Sequence, residues 1–164
     1  MTIRLLTFDL DHTLWDPDRA LMRGETESHA WLAQQVPAFG AQFPPAAFVD
    51  LRLQLREQFP ELKHRVSEIR RVAFRHALQQ CGLSNGEARD MAAQAFDVFW
   101  QCRQQVDVFA DTVPLLQQLA SRYTLGALSN GNACLKAIGL APHFRFHLAG
   151  EDFAAAKPAP DMFV

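Results

Sequence analysis

The sequence predicts an α/β fold: a parallel sheet with a bundle of four helices inserted after its first strand. Three observations predict it. An apolar run near the N-terminus, Ile3-Arg4-Leu5-Leu6, leads straight into the paired aspartates Asp9 and Asp11. The stretch from residue 19 to about residue 103 then carries apolar side chains at helical spacing, interrupted by Pro37, Gly40, Phe59-Pro60 and Gly82. Beyond Val106 two more apolar runs flank a short helical stretch, and strand–helix–strand order implies parallel strands with right-handed crossovers.

Residues 3–8 are predicted as a short buried strand and Asp9–Leu14 as the loop leaving its C-terminal end. Asp16-Pro17-Asp18 is turn chemistry, with Asp18 placed to cap the helix that follows. That helix covers 19–36, with Leu21, Trp31, Leu32 and Val36 as its expected buried side. Pro44-Pro45 opens a second helix, in which Phe48, Leu51 and Leu55 fall at i, i+3 and i+7. A third starts near Val66, with a stripe of Val66, Ile69, Ala73 and Ala77 flanked by Phe74 and Leu78, and stops at Gly82. Ser84-Asn85-Gly86 begins a fourth, whose apolar face is Met91, Ala95, Phe96, Phe99 and Trp100. Such a set of amphipathic helices joined by short breaks makes a small bundle.

Asp111 or Thr112 is placed to cap a helix running to about Ser121. Tyr123–Leu128 reads as a strand ending in the polar turn Ser129-Asn130-Gly131-Asn132, followed by a helix over Ala133–Ile138. Phe144–Leu148 is the third strand, and Asp161–Val164 the start of another helix. The expected domains are a Rossmann-like core, 1–17 with 104–164, and a helical cap, 18–103.

Composition narrows the function. The 164 residues suffice for one core and a small second lobe. Sixteen basic and 18 acidic residues leave a net charge of −2, so no general field attracts nucleic acid or an anionic membrane. No apolar run approaches the ~20 residues that span a bilayer, and the charged Asp9 arrives too early for a signal peptide. Cys81, Cys102 and Cys134 lack metal-ligand spacing and read as free thiols of a cytoplasmic protein.

Two carboxylates two residues apart at the end of a strand repel each other unless a cation compensates. In an extended backbone, residues i and i+2 point to the same side. Ligands of open parallel sheets bind beyond the C-terminal strand ends, and three polar sets are expected there: Asp9/Asp11/Thr13, Ser129/Asn130 and Lys157. One reaction uses all of them, phosphoryl transfer through an aspartyl phosphate. Asp9 is the expected nucleophile and Asp11 the general acid and base. Ser129, Asn130 and the turn's backbone N–H groups hold the transferring oxygens, Lys157 neutralises charge, and Mg²⁺ completes the site.

Asp9-Leu10-Asp11-His12-Thr13, Ser129-Asn130-Gly131 and Lys157-Pro158 resemble the first three motifs of the haloacid dehalogenase-like (HAD) phosphatases, and the helical insertion resembles their C1-type cap. The likeness covers the whole chain. It implies Mg²⁺ bound by Asp9 and the backbone carbonyl of Asp11, with Thr13 and Ser129 supporting the phosphoryl site. Dehalogenase members lack the second acid, so Asp11 favours phosphate chemistry. His12 stands where the family more often has Asp or Gly and reads as neutral variation. Pro60-Glu61-Leu62, His64, Val66, Arg70 and Ser129–Ala133 are most similar to phosphatases acting on FMN or 5-amino-6-(5-phospho-D-ribitylamino)uracil. That likeness implies that His64 and Arg70 set substrate specificity in a riboflavin pathway.

His64, Arg65, Arg70 and Arg71 cluster at the start of the third helix, where a second anionic group of a substrate would find a partner. Phe59, Trp15 and Trp31 are alternatively core residues or platforms for a ring. The family's fourth motif, an acidic pair after a further strand, would fall beyond Val164. The core is therefore expected to be incomplete at its C-terminus, as a fragment of a longer chain or a truncated gene product; if the 164 residues are all there is, Mg²⁺ binding and turnover are expected to be weak or absent. Two alternatives stand beside the riboflavin-pathway phosphatase: a phosphatase or phosphomutase acting on a sugar phosphate or nucleotide, and a non-catalytic fragment that binds a phosphorylated ligand or a partner chain.

Overall fold

The structure, a computed structural model, describes residues 2–163. Met1 and Val164, which the expected core and the expected terminal helix include, lie outside the described residues. The described chain divides into two compact units, 1–19 with 104–164, and 20–103. None of its helices is long and apolar enough to cross a membrane.

The first unit is built on a parallel sheet of β1 (Leu5–Phe8), β4 (Thr124–Ser129) and β5 (Phe146–Ala149), in the order β1-β4-β5. Central β4 is buried from Leu125 to Ser129, so side chains on both of its faces are covered. Strand β1 differs from expectation. It is shorter than 3–8, and only one of its faces is covered: Leu6 and Phe8 pack against the core, while Leu5 is 47% exposed rather than buried. A two-residue antiparallel ribbon, β2 (Trp15–Asp16) with β3 (Asp107–Val108), was not foreseen; two residues are too few to show a period.

Helix α6 (Thr112–Ala120) starts where expected, but Thr112 does not cap it. Its hydroxyl donates instead to the Leu14 carbonyl at 2.9 Å, across 98 residues of chain. Helix α7 is a single turn, Leu135–Ile138, shorter than the expected 133–138. Asp161 opens no described α-helix; Pro160–Met162 is a 3₁₀ turn. The core beneath the sheet contains Leu10, Leu14, Trp15, Leu116, Leu125, Ala127 and Leu135.

In the helical unit α1 (Asp18–Gln35), α3 (Pro45–Gln58), α4 (Val66–Gln80) and α5 (Asn85–Arg103) correspond to the four expected helices. A fifth, α2 (Pro37–Gln42), occupies the stretch read as a break, because Pro37 sits at a helix start where its missing N–H costs nothing. Helix α1 buries Ala20, Gly24, Ser28 and Leu32, while Leu21, Trp31 and Val36 are only half-buried. The reason is close approach: a Cβ on Gly24 would lie 2.8 Å from the Phe99 ring and 3.0 Å from its carbonyl oxygen. Small residues form the contact face, and apolar counting overlooks them.

Helix ends follow local chemistry. At the start of α1, the Asp16 carboxylate rather than that of Asp18 accepts the Asp18 N–H, at 2.9 Å. Ser84 and Glu87 form a reciprocal capping box on α5, the Ser84 N–H donating to Glu87 Oε2 at 3.0 Å and the Glu87 N–H to Ser84 Oγ at 3.4 Å. Helix α4 closes in a Schellman motif, with Gly82 at φ 92°, its N–H on the Gln79 carbonyl and the Leu83 N–H on that of Leu78.

Candidate active site

The loop after β1 is a tight turn. The N–H groups of Thr13 and Leu14 both donate to the Leu10 carbonyl, at 3.1 and 2.8 Å, and the His12 N–H donates to the Trp15 carbonyl at 2.8 Å. The turn needs a left-handed residue at position 12, where φ is 61°. Histidine, like Asn and Asp, enters that region more readily than most side chains.

Asp9 leaves this loop partly exposed. One of its oxygens, Oδ1, accepts a hydrogen bond from Lys157 Nζ at 2.7 Å. The other has no hydrogen bond among the described residues. The Lys157 ammonium also donates to the Leu128 carbonyl, which ties it to the C-terminal end of β4. Residues 148 positions apart are thus brought together at the strand ends, where the sequence places the chemistry.

Asp11 is half-buried, and its Oδ1 accepts a hydrogen bond from the Trp15 indole at 2.8 Å. Trp15 is fully buried and belongs to the core, not to a ring-stacking surface. Its polar tip nonetheless orients the second acid of the loop. Sequence reasoning weighed Trp15 only as core or platform, because nothing in a sequence reports an indole aimed at a carboxylate four residues back.

Ser129 is buried at the end of β4, and its hydroxyl oxygen accepts the Gly131 N–H at 3.0 Å. That bond closes the turn and leaves the hydroxyl hydrogen to donate elsewhere. Asn130, expected to hold phosphate oxygens, has its amide engaged otherwise: Nδ2 donates to the Lys157 carbonyl at 2.9 Å and Oδ1 accepts the Lys157 N–H at 3.0 Å. The side chain copies one rung of a strand ladder and fixes the lysine's backbone. Gly150 makes room for it, since a Cβ there would lie 3.1 Å from Asn130 Oδ1 and 2.8 Å from the Ala156 methyl. Thr13 is exposed in the turn. Gln104, which no motif singled out, is buried and accepts the Cys134 N–H at 2.7 Å just ahead of α7.

Magnesium takes hard oxygen donors. The Asp9 carboxylate and a backbone carbonyl of the same loop are donors of that class, so the residues fit the ion the motifs imply. A separate exposed group, His12, Asp16 and Asp18, has ligand atoms within 4.8 Å of one another. The capping bond from Asp16 to the Asp18 N–H and a 3.7 Å approach of His12 Nε2 to Asp18 Oδ1 account for that grouping.

The expected specificity residues lie in the helical unit. His64 is half-buried. Arg70 is not the open cation of a basic face: it is buried, donates to Glu25 Oε1 at 2.8 Å and stacks 3.5 Å from the centre of the Phe99 ring. Arg52 reaches the same Glu25 oxygen at 2.7 Å. Burial and the nearby Arg52 charge push the Arg70 guanidinium down to about 10, still charged at neutral pH. Burial alone would raise the Glu25 carboxyl, but the two arginines outweigh it and hold it below the usual range. Arg70, Phe48 and Phe74 also line a largely apolar cavity of about 270 Å³. Trp31 and Phe59 pack against the helical core.

A family model described as haloacid dehalogenase-like hydrolase matches residues 3–164. Over 161 residues the chain is 35% identical to the 5-amino-6-(5-phospho-D-ribitylamino)uracil phosphatase YigB of Escherichia coli (strain K12), an alignment covering 98% of this chain and 67% of that protein. It also resembles the crystal structure of a 2-haloacid dehalogenase from Pseudomonas syringae pv. Tomato DC3000, with a TM-score of 0.90 and 41% identity over 97% of this chain and 69% of that one. The HAD-hydrolase YfnB of Bacillus subtilis shares the fold at a TM-score of 0.57 and 20% identity, over 99% of this chain and 72% of that one.

Proposed function

Because the chain belongs to the haloacid dehalogenase-like hydrolase family, we propose that it hydrolyses phosphomonoesters through a covalent phosphate on Asp9. The observation that carries this reading is the Asp9 carboxylate itself, with one oxygen on Lys157 and the other clear of hydrogen bonds. The unbonded oxygen attacks phosphorus, and the ester P–O bond breaks. The leaving alkoxide takes a proton from the Asp11 carboxyl, which the Trp15 indole orients. Asp11, now ionised, removes a proton from water. The resulting hydroxide displaces phosphate from Asp9 and regenerates the carboxylate. Ser129 donates its hydroxyl hydrogen to a phosphoryl oxygen, and Lys157 balances the charge that develops there. Thr13 supports the same oxygens from the opening turn. Asn130 acts as a positioning residue through the Lys157 backbone. Asp9 and the backbone carbonyl of Asp11 would hold Mg²⁺, whose contribution is charge neutralisation and alignment of the phosphoryl group.

For the substrate, the 35% identity to YigB supports a riboflavin-pathway phosphate, FMN or 5-amino-6-(5-phospho-D-ribitylamino)uracil, selected by the helical unit acting as a cap. In that role His64 and the Glu25-anchored Arg70 are the specificity residues. A sugar phosphate or nucleotide uses the same chemistry.

The likeness to the Pseudomonas dehalogenase supports a second reading, in which the Asp9 oxygen displaces halide from a 2-haloacid. Halide leaves without a proton, so in that reaction an acid at position 11 has no leaving group to protonate. Assays with Mg²⁺ on FMN, a sugar phosphate, a nucleotide and 2-chloropropionate separate these readings. We expect phosphate release, highest on FMN by kcat/KM, and a loss of about a thousandfold or more in Asp9→Asn. Chloride release without phosphate release, or turnover that survives Asp9→Asn, refutes the proposal.

A further inference from the structure

The helical unit contains a further cavity, of about 200 Å³, walled by Arg52, Arg56, Lys63 and Arg70 together with Leu53, Val66 and Ile69. Its architecture follows from the sequence. Arg52 and Arg56 are four residues apart on α3 and share a face. Lys63 follows the 3₁₀ turn Pro60–Leu62, and Arg70 comes from the second turn of α4. Four cations therefore converge from two helices and the turn between them, and no acidic side chain lines the cavity.

Glu25 is the acid bonded to this set, and it engages both Arg52 and Arg70 through one oxygen. Arg56 and Lys63 form no ion pair among the described residues. A net of three positive charges is thus left around a space lined by Leu53, Val66 and Ile69, and the buried Arg70 is where their repulsion is least screened. The depressed Arg70 guanidinium reports that repulsion from Arg52, after burial. Like charges that converge on one space repel each other, and an anion placed among them relieves that repulsion. Guanidinium forks suit tetrahedral oxyanions, and the ammonium adds a point charge.

We propose that the Arg52–Arg56–Lys63–Arg70 cavity binds a small polyanion of the phosphate class, either free polyphosphate or the phosphate end of an ester. This site is built from residues of the helical unit alone, and it stands whether or not Asp9 is phosphorylated.

Calorimetric titration of the full chain with pyrophosphate, without added Mg²⁺, tests it. We expect saturable binding that weakens as salt is raised. Arg56→Gln/Lys63→Gln changes two exposed side chains that hold nothing else together. It should weaken binding about tenfold or more, while thermal unfolding stays unchanged. Asp9→Asn should bind like the wild type. Glycerol phosphate, run alongside, identifies the source: tighter binding than pyrophosphate assigns an ester and weaker binding a free polyphosphate, and either supports the site. No saturable binding overturns the proposal. So does binding that survives Arg56→Gln/Lys63→Gln but is lost in Asp9→Asn.

Discussion

Asn130 gives both polar atoms of its amide to the backbone of Lys157, and Lys157 gives its ammonium to Asp9. The candidate nucleophile is therefore oriented from two residues away, through a side chain whose sequence context suggested a phosphate ligand. Asn130→Ala is expected to lower kcat while leaving KM and the unfolding midpoint nearly unchanged, with partial recovery in Asn130→Asp, which keeps the acceptor for the Lys157 N–H. Gly150→Ala should act through the same contact and cost about tenfold to a hundredfold in kcat, because the new methyl presses on Asn130 Oδ1. Equal loss in kcat and stability for both variants would make Asn130 merely structural. Asp11→Asn keeps an acceptor for the Trp15 indole but cannot pass a proton. We expect a loss of about a hundredfold to ten-thousandfold in kcat and the disappearance of one limb of the pH–rate profile. Asp9, Asp11, Ser129 and Lys157 were legible as candidates because Asp9 and Ser129 follow apolar runs and the four fall in the order one reaction needs. Trp15, Gly150 and the true partner of Asn130 were not. Their roles are set by contacts made after folding, and no spacing rule encodes an amide that pairs with a backbone 27 residues away.

At the scale of elements, strong local signals survived folding. The Schellman stop at Gly82 and the capping box at Ser84 lie where the sequence puts punctuation. Ser84→Ala removes the hydroxyl that receives the Glu87 N–H and should cost about 1 kcal/mol in denaturant unfolding, with no effect on turnover. A cost indistinguishable from zero would mean that solvent replaces the box at this exposed end. Apolar counting misses what small residues and half-covered strands do. Helix α1 packs through Ala20, Gly24 and Ser28 because Phe99 needs the space a larger side chain would take. Strand β1 reads as a buried strand, yet only one of its faces is covered and it exposes every second residue. Elements of two residues, β2 and β3, were below any periodic signal and appear only through their mutual pairing.

Over the whole molecule, charge is nearly balanced in number but not in place. The sheet-bearing unit joins Lys157 to Asp9 at the ends of its strands, whereas the helical unit gathers four cations around one cavity and anchors two of them on Glu25. The anchoring makes stability depend on pH. Because Arg52 and Arg70 hold the Glu25 carboxyl below its ordinary 4.5, the pair's contribution is complete above that pH and fades as pH falls through the depressed folded value. Unfolding measured across this range should show wild type more stable than Glu25→Gln at neutral pH, with the gap closing below about pH 4.5; a gap independent of pH contradicts the assignment. The fold class and the family follow from the order of strands, helices and motifs, and the chemistry rests on one carboxylate among them. The most direct measurement is to mix the protein with FMN and Mg²⁺, quench, reduce with borohydride and map the peptides. Reduction of an acyl phosphate converts the aspartate that carried it to homoserine. The account predicts homoserine at position 9 and at no other aspartate. An unmodified Asp9 peptide from a sample that was releasing phosphate, or homoserine at position 11, would contradict it.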